Sequence, residues 1–144
     1  MTFLKTADTL NPGAHTLSSK YYTKKEILKQ EYKNIFLKHW ICVGRAEDIA
    51  KPSEYITLDI GGESVIILRD NKGMLKAFFN VCRHRGTRIC QNNKGNFSKT
   101  IQCGYHGWTY NLDGNLVGAP HMDNVDNFNK EDYHLHSVAI EEWE

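Results

Sequence analysis

The chain has 144 residues, and its 18 Lys and Arg residues nearly balance its 17 Asp and Glu residues, which gives a formal net charge of +1 at pH 7. This length is enough for one domain with its own core, and the balanced charge gives no reason to expect a nucleic-acid partner or an anionic membrane surface. No stretch approaches the about 20 apolar residues of a membrane span, and residues 1–8 lack the apolar core of an export signal, so we expect a cytoplasmic protein.

The N-terminal part predicts an arm followed by one helix. Residues 1–20 show no periodicity, and we assign them no structure. Thr23 and Glu26 have the spacing of a capping box, and apolar residues then recur at helical spacing from Ile27 to Trp40. We predict a helix near residues 24–39 whose apolar stripe packs against a sheet, and we assign residues 1–39 to this arm and helix.

From residue 40 onward the pattern changes to short apolar runs separated by turn residues, which predicts antiparallel strands. Two of the turns contain Gly61-Gly62 and Asp70–Gly73, and a third covers Leu112–Asn115. The fold class is therefore mainly β, and residues 40–144 are assigned to this second domain. The predicted strands are Trp40–Val43, Tyr55–Ile60, Ser64–Leu68, Leu75–Val81, Thr100–Gln102, Trp108–Asn111, Leu116–Val117 and a last one from Ser137 to the C-terminus.

Two short segments combine cysteine with histidine. Cys82 and His84 are separated by one residue, and Cys103 and His106 by two. A [2Fe-2S] centre of the Rieske type has two cysteines on one iron and two histidines on the other, so two loops that each carry one thiolate and one imidazole suit it. We therefore predict that these four residues bind the metal of a [2Fe-2S] cluster.

The residues around the predicted ligands suit the same centre. Gly86 and Gly107 follow the histidines, where a residue without a Cβ lets backbone amides approach the sulfides. Tyr105 and Trp108 add bulk that can keep water away, and Arg85, together with the imidazole edges, is expected to face a partner. Arg83 is expected to face the partner as well.

Other interpretations of these residues remain. Cysteines can be small apolar core residues, and the same four donors in a tetrahedral array suit a structural zinc ion. Cys42 and Cys90 are interpreted as buried thiols, one in a strand and one beside a loop, and neither is assigned as a ligand. His134 and His136 alternate as they would along a half-exposed strand, and they are also left unassigned.

The sequence resembles the N-terminal part of the oxygenase (alpha) subunit of Rieske non-haem iron aromatic-ring-hydroxylating oxygenases. The 18 residues between His84 and Cys103 are somewhat more than that family leads us to expect, which predicts a longer loop at Gln91–Ser98. The segments that carry the resemblance are Glu31–Gly44, Arg69-Asp70, Ala77–Val81, Cys82–Gly86, Tyr105–Tyr110 and Asp113-Gly114.

The resemblance implies a Rieske-type antiparallel β-sandwich with two cluster-binding loops. It also implies an electron donor, either a ferredoxin or a flavin reductase, and a homotrimer in the full-length parent. In that family a mononuclear non-haem iron in a C-terminal domain activates O2. We find no such iron site after His106, assign no catalytic residue, and expect that the chain is truncated before that domain.

The sequence is also compatible with two other classes of protein. A free-standing Rieske ferredoxin would act only as an electron carrier, and the length of the chain suits it. A structural interaction module would require a site without redox metal. The N-terminal helix favours the oxygenase subunit over the ferredoxin, because a minimal ferredoxin would begin near the first strand.

Overall fold

The computed structural model describes residues 11–143. The first ten residues of the predicted arm and Glu144, at the end of the last predicted strand, lie outside the described residues. By its internal contacts the chain divides into two compact units, residues 1–40 and residues 41–144. Within the described part, no helix has the length and apolar character needed to cross a membrane.

The first unit contains two short helices and a wider helical turn. Helix α1 spans Lys20–Thr23, helix α2 spans Lys25–Glu31, and a π-helical turn covers Tyr32–Phe36. The single helix predicted over residues 24–39 was wrong in its extent. Asn34, Ile35 and Phe36, which have lower helix propensity than most residues of α2, occupy the end of the π-helical turn.

One detail of the predicted helix also differs from the structure. Thr23 is the last residue of α1, so its hydroxyl donates to the Ser19 carbonyl oxygen at 3.0 Å instead of capping α2, whose first flanking residue is Lys24. Within the apolar stripe, Leu28 is 48% exposed and Ile35 is 49% exposed, whereas Ile27 and Tyr32 are partly buried. Its packing against a sheet stays a prediction.

The second unit contains a four-stranded antiparallel sheet in the order β3-β2-β1-β4. Its strands are β1 (Glu54–Ile60), β2 (Glu63–Arg69), β3 (Leu75–Phe79) and β4 (Lys94–Asn96). Gly61 and Gly62 both have positive φ, which the tight turn between β1 and β2 requires. The strands predicted from the three longest apolar runs correspond to β1, β2 and β3 with ends that differ by at most two residues.

A three-stranded antiparallel sheet in the order β5-β6-β7 completes the β structure. It consists of β5 (Ile101–Gln102), β6 (Thr109–Tyr110) and β7 (Leu116–Gly118). Two 3-10 turns, Ala46–Ile49 and Lys130–Tyr133, flank the β region along the chain. The predicted class, mainly antiparallel β, is confirmed.

Two predicted strands were wrong and one strand was missed. Residues 40–43 form no strand, although Val43 packs against the small core cluster around Ile49. Strand β4 was missed, because Lys94-Gly95-Asn96 has no apolar residue and is an exposed edge strand that pairs with β1. The last predicted strand is reduced to a single bridge between Ser137 and Phe78, since the chain leaves the edge of β3 after Val138.

The main core connects the two sheets with the loops that follow β3 and β5. It joins Ile66 and Phe78 of the first sheet to Ile101 and Tyr110 of the second, and it includes both Cys82 and Cys103. Strand β2 is buried on both faces from Val65 to Leu68, since Val65 and Ile67 belong to the second cluster on the opposite face. Both predicted cysteine ligands thus lie in the main core of the domain.

Candidate metal centre

Two loops with the same backbone hydrogen bonds carry the predicted ligands. We call them loop 1 (Cys82–Thr87) and loop 2 (Cys103–Trp108). In each loop the cysteine N–H donates to the carbonyl oxygen five residues later, at 2.8 Å. The glycine four residues after the cysteine donates back to the cysteine carbonyl oxygen, at 2.9 Å in loop 1 and 3.1 Å in loop 2.

The conformation of the two glycines explains why they stand at equivalent places. Gly86 and Gly107 both have φ of +72°, a region that side chains other than glycine rarely adopt. Apart from its neighbours in the chain, no atom lies within 4 Å of the position that a Cβ would take at Gly86. Glycine is therefore needed there for the backbone conformation and not for lack of space. The same backbone conformation therefore accommodates both spacings, Cys-x-His in loop 1 and Cys-x-x-His in loop 2.

The two cysteines are buried beside each other. Cys82 and Cys103 are each 2% exposed and belong to the main core. Burial raises the pKa of the Cys82 thiol, and the neighbouring Cys103 acts in the same direction, whereas a hydrogen bond with Tyr110 opposes it. The raised pKa favours the uncharged thiol of Cys82, and a bound cation would stabilise its thiolate.

The two histidines lie on the outer side of the same region. Their ring centroids are 4.7 Å apart with the planes inclined by 70°. The Nδ1 atoms of His84 and His106 are buried and make no hydrogen bond to any described residue. Burial, followed by the nearby His106 and Arg85, lowers the pKa of His84, so its imidazole is neutral at pH 7 and can donate a lone pair.

Aromatic rings enclose His84 on one side. The Trp108 ring stacks on the His84 imidazole with centroids 4.8 Å apart and planes inclined by only 7°. Phe128 and Tyr133 pack against the other parts of the Trp108 ring at 5.7 and 5.4 Å. Trp108 itself is 1% exposed, so this group excludes water from the imidazole.

The opposite side of the histidine pair is open to solvent. Tyr105 is 59% exposed, and its ring lies 3.7 Å from that of His106 between centroids. Arg85 and Gly86 are exposed as well. These residues form a solvent-facing surface over the imidazoles, whereas the thiols lie on the core side.

Arg83 contacts a later segment of the chain, and its place at a partner surface stays a prediction. Its guanidinium lies 3.2 Å from the His134 carbonyl oxygen and 3.4 Å from the Asp132 carbonyl oxygen, to both of which it donates. It also lies 3.4 Å from Nδ1 of His136. Arg83 therefore fastens the segment after the second 3-10 turn to loop 1.

The cysteines and histidines that were left unassigned differ in their exposure. Cys42 is exposed and lies in no strand, so its interpretation as a buried strand thiol was wrong. Cys90 is buried, as expected, and burial raises its pKa to about 11. His134 and His136 are both exposed. Among residues 11–143, no three His, Cys, Asp or Glu side chains meet around one point, as a mononuclear site would require, whereas a [2Fe-2S] centre of the Rieske type takes only two protein ligands on each iron.

Sequence reasoning missed one residue at the centre, Tyr110. Its ring is fully buried, and its hydroxyl accepts the Arg83 N–H at 3.0 Å and lies 3.4 Å from Sγ of Cys82. Burial, followed by the hydrogen bond with Cys82, raises the pKa of Tyr110, so the hydroxyl keeps its proton. The available signal was its place two residues after Trp108, on the strand that leaves loop 2.

The four predicted ligands form a donor set of two thiols and two imidazole nitrogens. Both nitrogens are buried without a hydrogen-bond partner among residues 11–143, which is the unsatisfied state that a bound metal would relieve. The thiols and the imidazoles come as two pairs from two equivalent loops, as a binuclear iron-sulfur centre with mixed ligands requires. The residues present therefore fit such a group.

Comparison with known proteins gives relatives over most of the chain. The oxygenase subunit of carnitine monooxygenase from Escherichia coli K12 is 38% identical over 130 residues, which is 90% of this chain and 34% of that protein. The alpha subunit of benzene 1,2-dioxygenase from Pseudomonas putida is 37% identical over 108 residues, covering 75% and 24%. The chain thus spans about a third or less of the length of these curated relatives.

Solved structures of Rieske oxygenases are similar to this chain in fold as well. The apo form of a quaternary ammonium Rieske monooxygenase superposes with a TM-score of 0.83 at 38% identity, covering 89% of this chain and 37% of that one. Naphthalene 1,2-dioxygenase with indole bound gives a TM-score of 0.77 at 34% identity, covering 85% and 28%. A family model described as the Rieske [2Fe-2S] domain matches residues 39–129. The chain belongs to the Rieske [2Fe-2S] domain family and is similar to the N-terminal part of Rieske oxygenase alpha subunits.

Proposed function

We propose that Cys82 and Cys103 ligate one iron of the [2Fe-2S] cluster and that His84 and His106 ligate the other. The observation that carries this proposal is the pair of buried Nδ1 atoms without a protein partner, beside two buried thiols on equivalent loops. When bound, such a cluster supplies a one-electron carrier with a potential of about −150 to +300 mV. The function of this chain is therefore electron transfer.

The surrounding residues have separate roles in this proposal. Gly86 and Gly107 allow both loops to adopt their turn, so that their backbone amides come close to the sulfides. Trp108 orients the His84 imidazole by stacking on it and excludes water from that side. Arg85 and Tyr105 belong to the exposed surface over the imidazoles, where an electron donor has its shortest approach.

We propose further that the parent protein is a Rieske non-haem iron oxygenase of the cytoplasm. Electrons would come from a ferredoxin or a flavin reductase and pass to a mononuclear Fe(II) in a C-terminal catalytic domain, where O2-dependent oxidation takes place. A homotrimer is the assembly proposed for it. The support is that the relatives are named as oxygenase or dioxygenase subunits, of which this chain covers the cluster-bearing part.

The names of the relatives offer two substrate classes for such a parent. Carnitine and glycine betaine are quaternary ammonium compounds, and benzene is an aromatic ring. The identities of 37–38% do not separate the two classes, because substrate contacts belong to the catalytic domain. Aromatic ring hydroxylation and quaternary ammonium oxidation are both candidate activities of the parent.

Metal and sulfide analysis tests the cluster assignment. The purified chain should contain about two iron atoms and two acid-labile sulfides, and it should show visible absorption that dithionite reduces. Cys82→Ser and His84→Ala should abolish this absorption, whereas the matched variants Cys42→Ser and Cys90→Ser should retain it. Bound zinc without sulfide, or loss of iron in Cys90→Ser comparable to that in Cys82→Ser, would overturn the assignment.

An oxygenation assay tests the division of roles between this chain and a catalytic domain. The reconstituted chain, supplied with Fe(II), O2 and a reductant, should cycle between oxidised and reduced states without oxidising benzene or carnitine. Incorporation of labelled oxygen into either compound by this chain alone would contradict the assignment of oxygen activation to another domain.

A further inference from the structure

The two loops differ in how their ends are held together. Loop 2 connects β5 to β6, which pair directly in the register Ile101↔Tyr110 and Gln102↔Thr109. Loop 1 follows β3, which ends at Phe79, and beyond it only a single bridge joins Val81 to Arg88. Loop 1 therefore needs another connection between the segment that enters it and the segment that leaves it.

The side chain of Asn80 supplies that connection. Its Oδ1 accepts two successive backbone N–H groups, from Ile89 at 3.0 Å and from Cys90 at 2.8 Å. Its Nδ2 donates to the Cys90 carbonyl oxygen at 2.8 Å. The carboxamide thus takes the place that a backbone peptide group would have in a strand ladder.

Asn80 also connects loop 1 to β2, one of the two inner strands of the first sheet. Its backbone N–H donates to the Ser64 carbonyl oxygen at 2.8 Å, and its Nδ2 donates to Ser64 Oγ at 3.2 Å. Asn80 is 0% exposed, so both donors and the acceptor of the carboxamide are satisfied inside the core. A buried polar network that is fully satisfied fixes one arrangement of its partners.

We propose that Asn80 is a positioning residue for the metal centre, which holds Cys82 and His84 in place by closing the base of loop 1. It does not contact the cluster and acts through the backbone of Ile89 and Cys90. This inference rests on the ligand set proposed above. It predicts that the loss of Asn80 changes the environment and the retention of the cluster as well as the stability of the domain.

The test compares Asn80→Ala with Asn111→Ala in the holoprotein. Asn111 is a matched control, because its Oδ1 also accepts two backbone N–H groups, those of Asp113 and Asn115, in the turn between β6 and β7. Asn80→Ala should release iron to a chelator about 10–100-fold faster than the unmodified chain, because residues that support metal ligands typically contribute about 10–100-fold to metal affinity and we assign this loss to the release rate. Its reduced cluster should also show shifted EPR g values.

Asn111→Ala should release iron at the rate of the unmodified chain and keep its g values, even where its melting temperature falls. If Asn80→Ala lowers the melting temperature while iron release and g values match those of the unmodified chain, Asn80 is merely structural and the inference is wrong. If the unmodified chain binds no cluster, the proposed function fails instead, so the two failures are distinguishable.

Should Asn80→Ala not fold, Asn80→Asp takes its place. The aspartate keeps the side-chain volume and the acceptor for Ile89 and Cys90 but loses the donors to Cys90 and Ser64. Faster iron release from this variant supports the inference, and release at the rate of the unmodified chain overturns it.

Discussion

The Tyr110 hydroxyl is expected to set part of the reduction potential of the cluster. Because its oxygen already accepts the Arg83 N–H, its own proton is free to point at the Cys82 sulfur, 3.4 Å away. A hydrogen bond to a ligand sulfur stabilises the more negative, reduced state more than the oxidised state. Tyr110→Phe removes this donor and leaves the ring in the core, so we expect the potential to fall.

The size of the shift follows from the strength of the bond. A hydrogen bond to a charged group contributes about 1.5–3 kcal/mol, and we take about 0.5–1.5 kcal/mol of it as the difference between the two redox states. For a one-electron couple, 59 mV corresponds to about 1.4 kcal/mol. Tyr110→Phe should therefore lower the midpoint potential by about 20–65 mV.

Protein-film voltammetry at pH 7 measures this shift, with Tyr133→Phe as the control. That variant also removes a phenolic hydroxyl from the neighbourhood, from a ring that packs against Trp108 instead of reaching a cysteine. Its potential should stay within about 10 mV of that of the unmodified chain, a margin well below the shift expected for the loss of the bond. An unchanged or raised potential in Tyr110→Phe would refute the role assigned to the hydroxyl.

Three further predictions concern the pH dependence of stability, the reactivity of two thiols and one glycine substitution. Burial, more than any nearby charge, lowers the pKa of His84, so the unfolded chain takes up a proton near pH 6.5 and the folded apoprotein only at lower pH. The apoprotein should lose stability as the pH falls through that interval, and His84→Gln should flatten this part of a plot of urea midpoint against pH. Burial raises the pKa of Cys90 to about 11, so at pH 8 its thiol should react with a disulfide reagent at least about tenfold more slowly than that of exposed Cys42, and equal rates would contradict its burial. Gly114→Ala should cost about 2 kcal/mol or more in urea unfolding, because φ is +85° and the new Cβ would lie 2.5 Å from the Phe78 ring; a loss below about 0.5 kcal/mol would contradict this contact.

The sequence was sufficient for the candidate ligands and for most strands, because both depend on neighbouring residues. Cys82 with His84, and Cys103 with His106, each lie within one loop, so their spacing is visible along the chain. The long strands β1 to β3 are apolar runs between turns rich in glycine and asparagine, and such turns fix where a hairpin reverses. Trp108 was assigned from its position beside the ligands, and its stacking on His84 agrees with that.

Contacts between residues that are distant in the sequence are visible only in the tertiary structure. Strand β4 exists because β1 offers it an edge, since Lys94-Gly95-Asn96 has no apolar pattern of its own. The hydroxyl of Tyr110 meets Cys82 across 28 residues, and Asn80 closes loop 1 through backbone groups ten residues away. Such contacts leave no periodicity in the sequence, because a single polar side chain finds its partner only after the sheets have packed and both loops have been brought to the same end of the core.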